Sequence, residues 1–480
     1  MRRYVLALLM FAACGPSAAA KRAQALYDQG DYQGAAKSAD ADLAAHPSDD
    51  ALHRVALRAR LAGGDARGAV DGYASWRAGR DDDRVALRLL AETTFQQALR
   101  SPSNAIKVQA IESIEELEIE DLADDVIQRL GDDDDQVQAA AAVAVLRAHP
   151  QAPEILASML TSDDPVARAI AVRGMANKVG EHAADDLRNA TRDPDPRVRR
   201  AAISGLAPLD DGATTDVLAQ LAAKDADDGV RAAALHALAR GSRGDQRAVA
   251  NAALGDKSLA VRIAAVDVIV ATKDAAAIHA LLANPDPLVA IQAAHAAPPA
   301  DAAATIDRAL GDAAPETRAA ALNLSVAALG KGPAAERAMR FTADASMTVR
   351  LSAARVLAST DHKADAINVL ATALGTAPGA APSDSMTRGG TAEPDDRIQA
   401  AADLARLGDS RGTSALADFA RTGDTVPRRR AAVTAHLTAR TITPGLVAAL
   451  ADAAPEVRVD AARALWSLVR STDLAEEHAE

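Results

Sequence analysis

From residue 106 almost to the C-terminus, apolar and polar positions return in one fixed frame: a valine, an arginine, then two small apolar residues. The frame is clearest at Val198–Ala202, Val230–Ala234, Val261–Ala265, Val349–Ala353 and Val457–Ala461. With the arginine slot as anchor, twelve copies fall at Lys107, Gln138, Arg168, Arg199, Arg231, Arg262, Ala290, Arg318, Arg350, Gln399, Arg429 and Arg458. Successive anchors are 28–32 residues apart, except for one interval of 49 between Arg350 and Gln399. Apolar residues three, four and seven after an anchor, as in Ala202, Ile203 and Leu206, predict a helix with one buried stripe. Each such helix follows an Asp- or Pro-rich turn and an earlier apolar helix, of which 216–223 is an example. A unit of about 30 residues cannot bury its apolar face alone and needs neighbours on both sides. The predicted fold class is therefore all-α, an α-α superhelix: a right-handed helical-repeat solenoid of about twelve repeats.

The turns carry helix-start chemistry. Pro165, Pro196, Pro287, Pro315 and Pro455 stand three before their anchors, where a first helical turn tolerates a missing N–H. Asp164, Asp195, Asp227, Asp286 and Asp395 stand four before theirs, positioned to cap exposed amides. The long interval is explained by residues 375–394, a Gly-, Pro- and Ser-rich insertion expected to form a mobile loop between two helices of one unit. Deleting residues 379–391 is expected to leave helicity intact.

Period, turn and anchor together, as in 193–206 and 407–424, resemble the HEAT-repeat family, specifically its short PBS-lyase HEAT-like group, over about 370 residues. Nearer the N-terminus the period is 34: Gly30-Asp31 and Ala35 return as Gly64-Asp65 and Ala69. These two segments resemble tetratricopeptide repeats, with a further helix expected near 85–99. The implied organisation is a leader at 1–20, a tetratricopeptide-like helical region at 21–100, a HEAT-like solenoid at 101–470 and an acidic tail at 471–480.

Composition narrows the chemistry. Apolar residues make up 49% of the chain but aromatics only 2%, so the core is expected to rest on Ala, Leu and Val. The formal net charge of −13 comes with no basic stripe and few aromatic platforms, which argues against nucleic acid as a partner. The densest basic cluster, Arg428–Arg430, lies at an anchor.

The first twenty residues read as an export signal: Arg2 and Arg3, an apolar run from Tyr4 to Ala13, then small residues. The run is far shorter than the roughly 20 residues that span a bilayer as a helix. Cys14, the chain's single cysteine, follows Phe11-Ala12-Ala13 and resembles the lipobox of bacterial lipoproteins. That resemblance implies lipid on Cys14, membrane attachment without a transmembrane helix, and a place on the outer membrane facing the periplasm. The alternative is cleavage after Ala18-Ala19-Ala20, leaving a soluble periplasmic chain.

No catalytic constellation stands out. The ten histidines are scattered without metal-ligand spacing, no metal site or cofactor is expected, and P-loop and H-E-x-x-H motifs are absent. Some HEAT-like proteins are enzymes, the deoxyhypusine hydroxylases with their His-Glu iron ligands and the phycobilin lyases among them, yet no His-Glu dipeptide occurs here. A lyase-like or metal- or cofactor-dependent enzyme is kept as the alternative to a noncatalytic scaffold for a protein or peptide partner.

Two residue sets are singled out. The resemblance implies a structural ladder of Asp164, Arg168, Asp195, Arg199, Asp227, Arg231, Arg262, Arg318, Arg350 and Arg458, each arginine meeting turn oxygens or an aspartate of its own or an adjacent repeat. Five residues after each anchor runs a mostly polar row: Val143, Arg173, Ser204, His236, Asp267, His295, Asn323, Arg355, Leu404, Thr434 and Arg463. Of its polar members, Arg173, Ser204, His236, Asp267, His295, Asn323, Arg355 and Arg463 are taken as candidate partner-facing residues, because the resemblance implies that second helices line the concave side.

Overall fold

The computed structural model describes residues 16–178, 183–240, 246–375 and 394–477. Cys14, His182, His478 and residues 376–393 of the insertion lie outside the described residues.

Among the described residues every regular element is helical, in two compact units. One unit joins residues 1–122 to 413–480, and the other is the continuous segment 123–412 between them. In chain order the first six helices are α1 (Ala18–Asp28), α2 (Tyr32–Leu43), α3 (Asp50–Ala62), α4 (Ala66–Arg77), α5 (Arg84–Leu99) and α6 (Asn104–Leu117). There follow α7 (Ala123–Ile127), α8 (Asp135–Ala144), α9 (Ala152–Met159), α10 (Pro165–Lys178), α11 (Ala184–Ala190), α12 (Pro196–Leu206), α13 (Gly212–Lys224), α14 (Asp228–Ala239), α15 (Arg247–Ala253) and α16 (Leu259–Ala271). Next are α17 (Ala275–Leu282), α18 (Pro287–Ala294), α19 (Pro299–Leu310), α20 (Pro315–Leu329), α21 (Lys331–Met339), α22 (Met347–Ala358), α23 (Lys363–Leu374) and α24 (Pro394–Arg406). The last are α25 (Ser410–Thr422), α26 (Val426–Ala439), α27 (Pro444–Ala448) and α28 (Pro455–Glu477).

All twelve anchors fall in the even-numbered helices from α6 to α28, one to each. Their starts follow from the turn chemistry. Pro165, Pro196, Pro287, Pro315 and Pro455 are the first residues of their helices, where the ring costs no hydrogen bond. Asp195, Asp227 and Asp286 cap α12, α14 and α18, accepting the backbone N–H of Arg197, Val230 and Leu288. Asp395 differs: α24 already begins at Pro394, which puts Asp395 inside the first turn.

In the unit of residues 123–412, successive second helices pack side by side in the order α8, α10, α12, α14, α16, α18, α20, α22, α24. First helices such as α13, α15, α19 and α23 form the other layer, each against its own partner or the next helix. The core between the layers is built from small and branched aliphatics: Val198, Val230, Val261 and Val349, each one before an anchor, are at most 1% exposed. Ala202, Ile203 and Leu206 are equally buried.

The other unit begins with two helix hairpins of the same construction. Gly30 and Gly64 adopt left-handed φ values of 82° and 89°, which end α1 and α3 without the Cβ penalty other residues meet. Asp31 and Asp65 then cap α2 and α4, each accepting the N–H of the glycine three residues on at 2.8 Å. Ala35 and Ala69 are fully buried, which accounts for the small residue in that slot. Within this unit helices far apart in sequence meet, because α28 packs on both α5 and α6 as well as on α26. Gln109 on α6 donates to Asp460 on α28 at 2.6 Å, and Arg88 on α5 lies over the Trp466 ring at 5.8 Å. Between α3 and α5, Arg54 forks onto Asp83 at 2.7 and 3.0 Å.

Candidate functional site

Each second helix has three kinds of surface, which separate structural from accessible residues. The valine before the anchor and the stripe after it are core. The anchor arginine points along the stack. Nε and Nη2 of Arg168 reach the Asp193 carboxylate at 2.8 and 2.9 Å, while Nη1 donates to the Ser162 carbonyl at 2.7 Å. Arg199 repeats this with Asp225 at 2.9 and 2.7 Å and with the Asp193 carbonyl at 2.8 Å. Arg231 meets Asp256, Arg262 meets Asp286, Arg318 meets Asp344 and Arg429 meets Asp452. Arg350 and Arg458 donate to their own turns, Arg350 to the Asp344 and Ala345 carbonyls and Arg458 to those of Asp452 and Ala453.

The rungs at Arg168, Arg199, Arg231, Arg262, Arg318 and Arg429 therefore bind their own turns by main-chain oxygens and the next repeat by a carboxylate, fixing both register and spacing, whereas Arg350 and Arg458 hold their own turns. The aspartates that close the rungs are mostly not those four before the anchors. Asp195 and Asp227 serve as caps, and Asp164 accepts the Val166 N–H and the Gln136 amide. Asp193, Asp225, Asp256, Asp344 and Asp452 take the guanidinium instead. These stand six before Arg199, Arg231, Arg262, Arg350 and Arg458, a spacing visible in the sequence that sequence reasoning missed.

The rungs perturb ionisation as their chemistry requires. Burial pushes the Asp193 carboxyl up, but the Arg168 guanidinium and the Asp195 amide together hold it below the usual carboxylate range. The Arg231 guanidinium does the same for Asp256. The Arg199 guanidinium is raised by its hydrogen bonds to Asp225.

Five residues beyond the anchor the surface turns outward. In the unit of residues 123–412, Arg173, Ser204, His236, His295 and Asn323 are exposed, Asp267 and Arg355 are half-buried, and Val143 and Leu404 are buried. Residues of three consecutive second helices touch there: His236 Nδ1 lies 3.1 Å from Asp267, and Gln292 donates to Asp267 at 2.8 Å. Burial raises the Asp267 carboxyl, yet His236 and Gln292 outweigh it and leave the group lowered. His295 is bonded to the Gln292 carbonyl, and Arg355 reaches the buried Asp403 at 3.1 Å.

A cleft of about 380 Å³ opens on this face between α10 and α12, with Arg173 and Ser204 of the row among its lining. The corresponding positions of α26 and α28, in the unit of residues 1–122 and 413–480, line a cleft of about 450 Å³ with Thr434 and Arg463. Arg463 is committed within its unit, pairing with Glu116 of α6 at 2.6 Å. Among the described residues no group of three His, Cys, Asp or Glu is arranged to hold a metal ion, and no helix is long and apolar enough to cross a membrane.

Stacked helix pairs tied by a half-buried arginine ladder define a helical-repeat protein of the solenoid class. Residues 152–239, which contain α10, α12 and α14, match the family described as HEAT repeats. No curated protein matches the chain in sequence. Among solved structures, Kap121p shows 11% identity and a TM-score of 0.33, covering 81% of this chain and 51% of its own. Importin beta shows 14% identity and a TM-score of 0.32, covering 91% and 74%. UNC-45 from Drosophila melanogaster shows 14% identity and a TM-score of 0.29, covering 94% and 84%. The chain thus spans about half the length of the Kap121p structure it resembles.

Proposed function

We propose that this protein is a noncatalytic interaction scaffold that binds a protein or peptide partner along the outward row of its second helices. The observation that carries this reading is the division of labour within each repeat. Valine and the apolar stripe are spent on the core, and the anchor arginine on the ladder. Five residues further on, Ser204, His236, His295 and Asn323 are exposed, with Asp267 half-buried between them.

In the same reading the scaffold is displayed in a bacterial cell envelope, anchored by lipid on Cys14 to the outer membrane and facing the periplasm. The tetratricopeptide-like hairpins at the N-terminus belong to the same interaction architecture. Support for the address comes from the charged, apolar and small-residue order of residues 1–20 and the position of the single cysteine.

Two measurements test the proposal. A photo-crosslinking residue at His295 or Asn323 should capture one defined partner in intact cells, whereas the same residue at Met339 on the first helix α21 should not. Equal capture at both places would count against the row as the binding face. Cys14→Ser should abolish acylation and release the protein from the membrane fraction, and unchanged fractionation would overturn the lipid anchor.

A further inference from the structure

The arginine ladder ends differently at its last anchor. At Arg168, Arg199, Arg231, Arg262, Arg318 and Arg429, Nε and Nη2 take an aspartate of the next repeat, while Nη1 holds the turn before the helix. Arg458 keeps only the second half. Among the described residues its hydrogen bonds all leave from Nη1, to the Asp452 and Ala453 carbonyls, and no carboxylate pairs with Nε or Nη2. The neighbouring helix accounts for this. Besides α26, the second helix before it in the stack, α28 packs on α5 and α6. The anchor of α6 is Lys107, and the residue six before it, where a rung aspartate stands in other repeats, is Ser101. The local fold is the same. Ser101 Oγ accepts the Ser103 N–H at 3.1 Å, as Oδ1 of Asp193 and of Asp225 accepts the N–H two residues on at 2.8 and 2.9 Å. A serine in that slot is shorter than an aspartate and brings no charge to Arg458.

Ser101 and Arg458 line one cleft of about 230 Å³, formed by α5, α6 and α28. Ala98, Ile106, Pro455 and Val459 supply its apolar wall, and none of the lining residues is an acid. Arg100 lines it too but is engaged in an interaction of its own. We infer that this cleft is a binding site for a carboxylate on a short aliphatic body, seated on Nε and Nη2 of Arg458 and accepting the Ser101 hydroxyl. Three arguments select this ligand. Six other rungs of the same chain fill the same guanidinium fork with a carboxylate, whose two oxygens match its paired donors. Ser101 Oγ already accepts from Ser103, which leaves its hydrogen for an acceptor in the cleft. The apolar wall rewards methylene groups that a bare inorganic anion lacks, and the volume suits a small molecule or a single side chain. The site stands whether or not the outward row binds a partner.

The test is calorimetric titration of the full chain with butyrate, its neutral isostere butyramide, formate, and the capped peptide acetyl-Ala-Asp-Ala-amide. Butyrate should bind with a dissociation constant of roughly a millimolar, and butyramide should not bind. Formate should bind at least about tenfold more weakly, because it has no body for the apolar wall. Arg458→Gln should weaken butyrate binding at least about tenfold. Ser101→Asp should abolish it, since the chain then supplies its own carboxylate, and should raise the melting temperature. Arg67→Gln, which removes an equal charge from an exposed pair elsewhere, should change binding less than about twofold. Thermal melts verify that each variant is folded, and Ser101→Asp decides the outcome if Arg458→Gln unfolds.

The peptide identifies where the carboxylate comes from. Peptide binding tighter than butyrate assigns it to an aspartate side chain of another chain, and butyrate binding without peptide binding assigns it to a free small acid; both results support the site. No saturable butyrate binding would overturn it. Butyramide binding as tightly as butyrate would leave an apolar cleft with no carboxylate seat. Formate binding as tightly as butyrate would reduce the cleft to a simple anion site and overturn the aliphatic ligand. Wild-type affinity in Ser101→Asp, or equal loss in Arg458→Gln and Arg67→Gln, would place the carboxylate elsewhere and sink the assignment.

Discussion

Arg199 on α12 and Asp225, in the turn before α14, form a two-point ion pair at 2.7 and 2.9 Å with side-chain exposures of only 13% and 7%. The third guanidinium nitrogen is held by the Asp193 carbonyl of the preceding turn, so one side chain ties two inter-helix turns together. Removing one partner of so buried a pair leaves the other charged and uncompensated, which costs far more than an exposed pair. Arg199→Ala is expected to lower stability by about 3 kcal/mol. Asp225→Asn should cost less, and a double-mutant cycle by urea denaturation should show coupling of at least about 1 kcal/mol. Additive losses would mean that the rung does not act as a unit.

Exposure also ranks the contacts between α28 and the N-terminal helices. Asp460, with side-chain exposure of 12%, receives both Arg430 of α26 and Gln109 of α6 at 2.6 Å. Glu116, at 57%, meets Arg463 in water. Asp460→Ala should therefore destabilise the unit by about 2 kcal/mol, and Glu116→Ala by less than about 0.5 kcal/mol. Chemical denaturation of the two variants checks the ranking, and the reverse order would refute it.

Backbone proximity sets a third limit. A Cβ at Gly445, the second residue of α27, would lie 2.1 Å from the Ala417 carbonyl oxygen and 2.4 Å from its Cα. Both are main-chain atoms that cannot rotate away. Gly445→Ala should cost about 3 kcal/mol, at the upper end for overpacking. Gly332→Ala on α21, where nothing stands within 4 Å, should be neutral or stabilise by about 0.5 kcal/mol. The melting temperatures of the two variants should move apart, and a shared shift would contradict the steric account.

His436 links stability to pH. Its ring is fully buried, with Nδ1 2.8 Å from the Ala432 carbonyl and Nε2 2.8 Å from the Thr443 hydroxyl. A carbonyl can only accept, so Nδ1 carries the proton and the neutral ring takes the hydroxyl hydrogen on Nε2. Burial pushes the imidazole below its ordinary value. A lowered native value means that the unfolded chain binds the proton first. The native advantage is therefore intact above about pH 6.5 and erodes as pH falls toward the native value, by up to about 1.4 kcal/mol per pH unit. Between pH 7.5 and 5.5 the wild-type chain should lose more stability than His436→Gln. Parallel losses would show that His436 titrates as it does when unfolded.

Much of the fold was legible along the chain because its signals are local. Pro196, Asp195 and the stripe of Ala202, Ile203 and Leu206 act within one or two turns of the backbone, so one repeat announces a helix start and a buried face. Repetition then makes stacking unavoidable. Five residues past an anchor lies on the side away from the core stripe, and Ser204, His236, His295 and Asn323 are exposed there, whereas Val143 and Leu404 are buried against neighbouring helices that a single repeat does not reveal.

What only the tertiary structure decided involves residues brought together across turns or across the chain. Caps and rung acceptors are both aspartates in the same turn, and only the path of Arg168 or Arg199 shows that Asp193 or Asp225 receives the guanidinium. The α10–α12 cleft is lined by side chains of two helices whose anchors lie 31 residues apart, Arg168 and Arg199, and neither helix announces it alone. The meeting of α28 with α5 and α6 joins residues such as Gln109 and Asp460 that lie 351 positions apart. A contact made once at that separation leaves no period in the sequence, whereas the 30-residue unit is written twelve times.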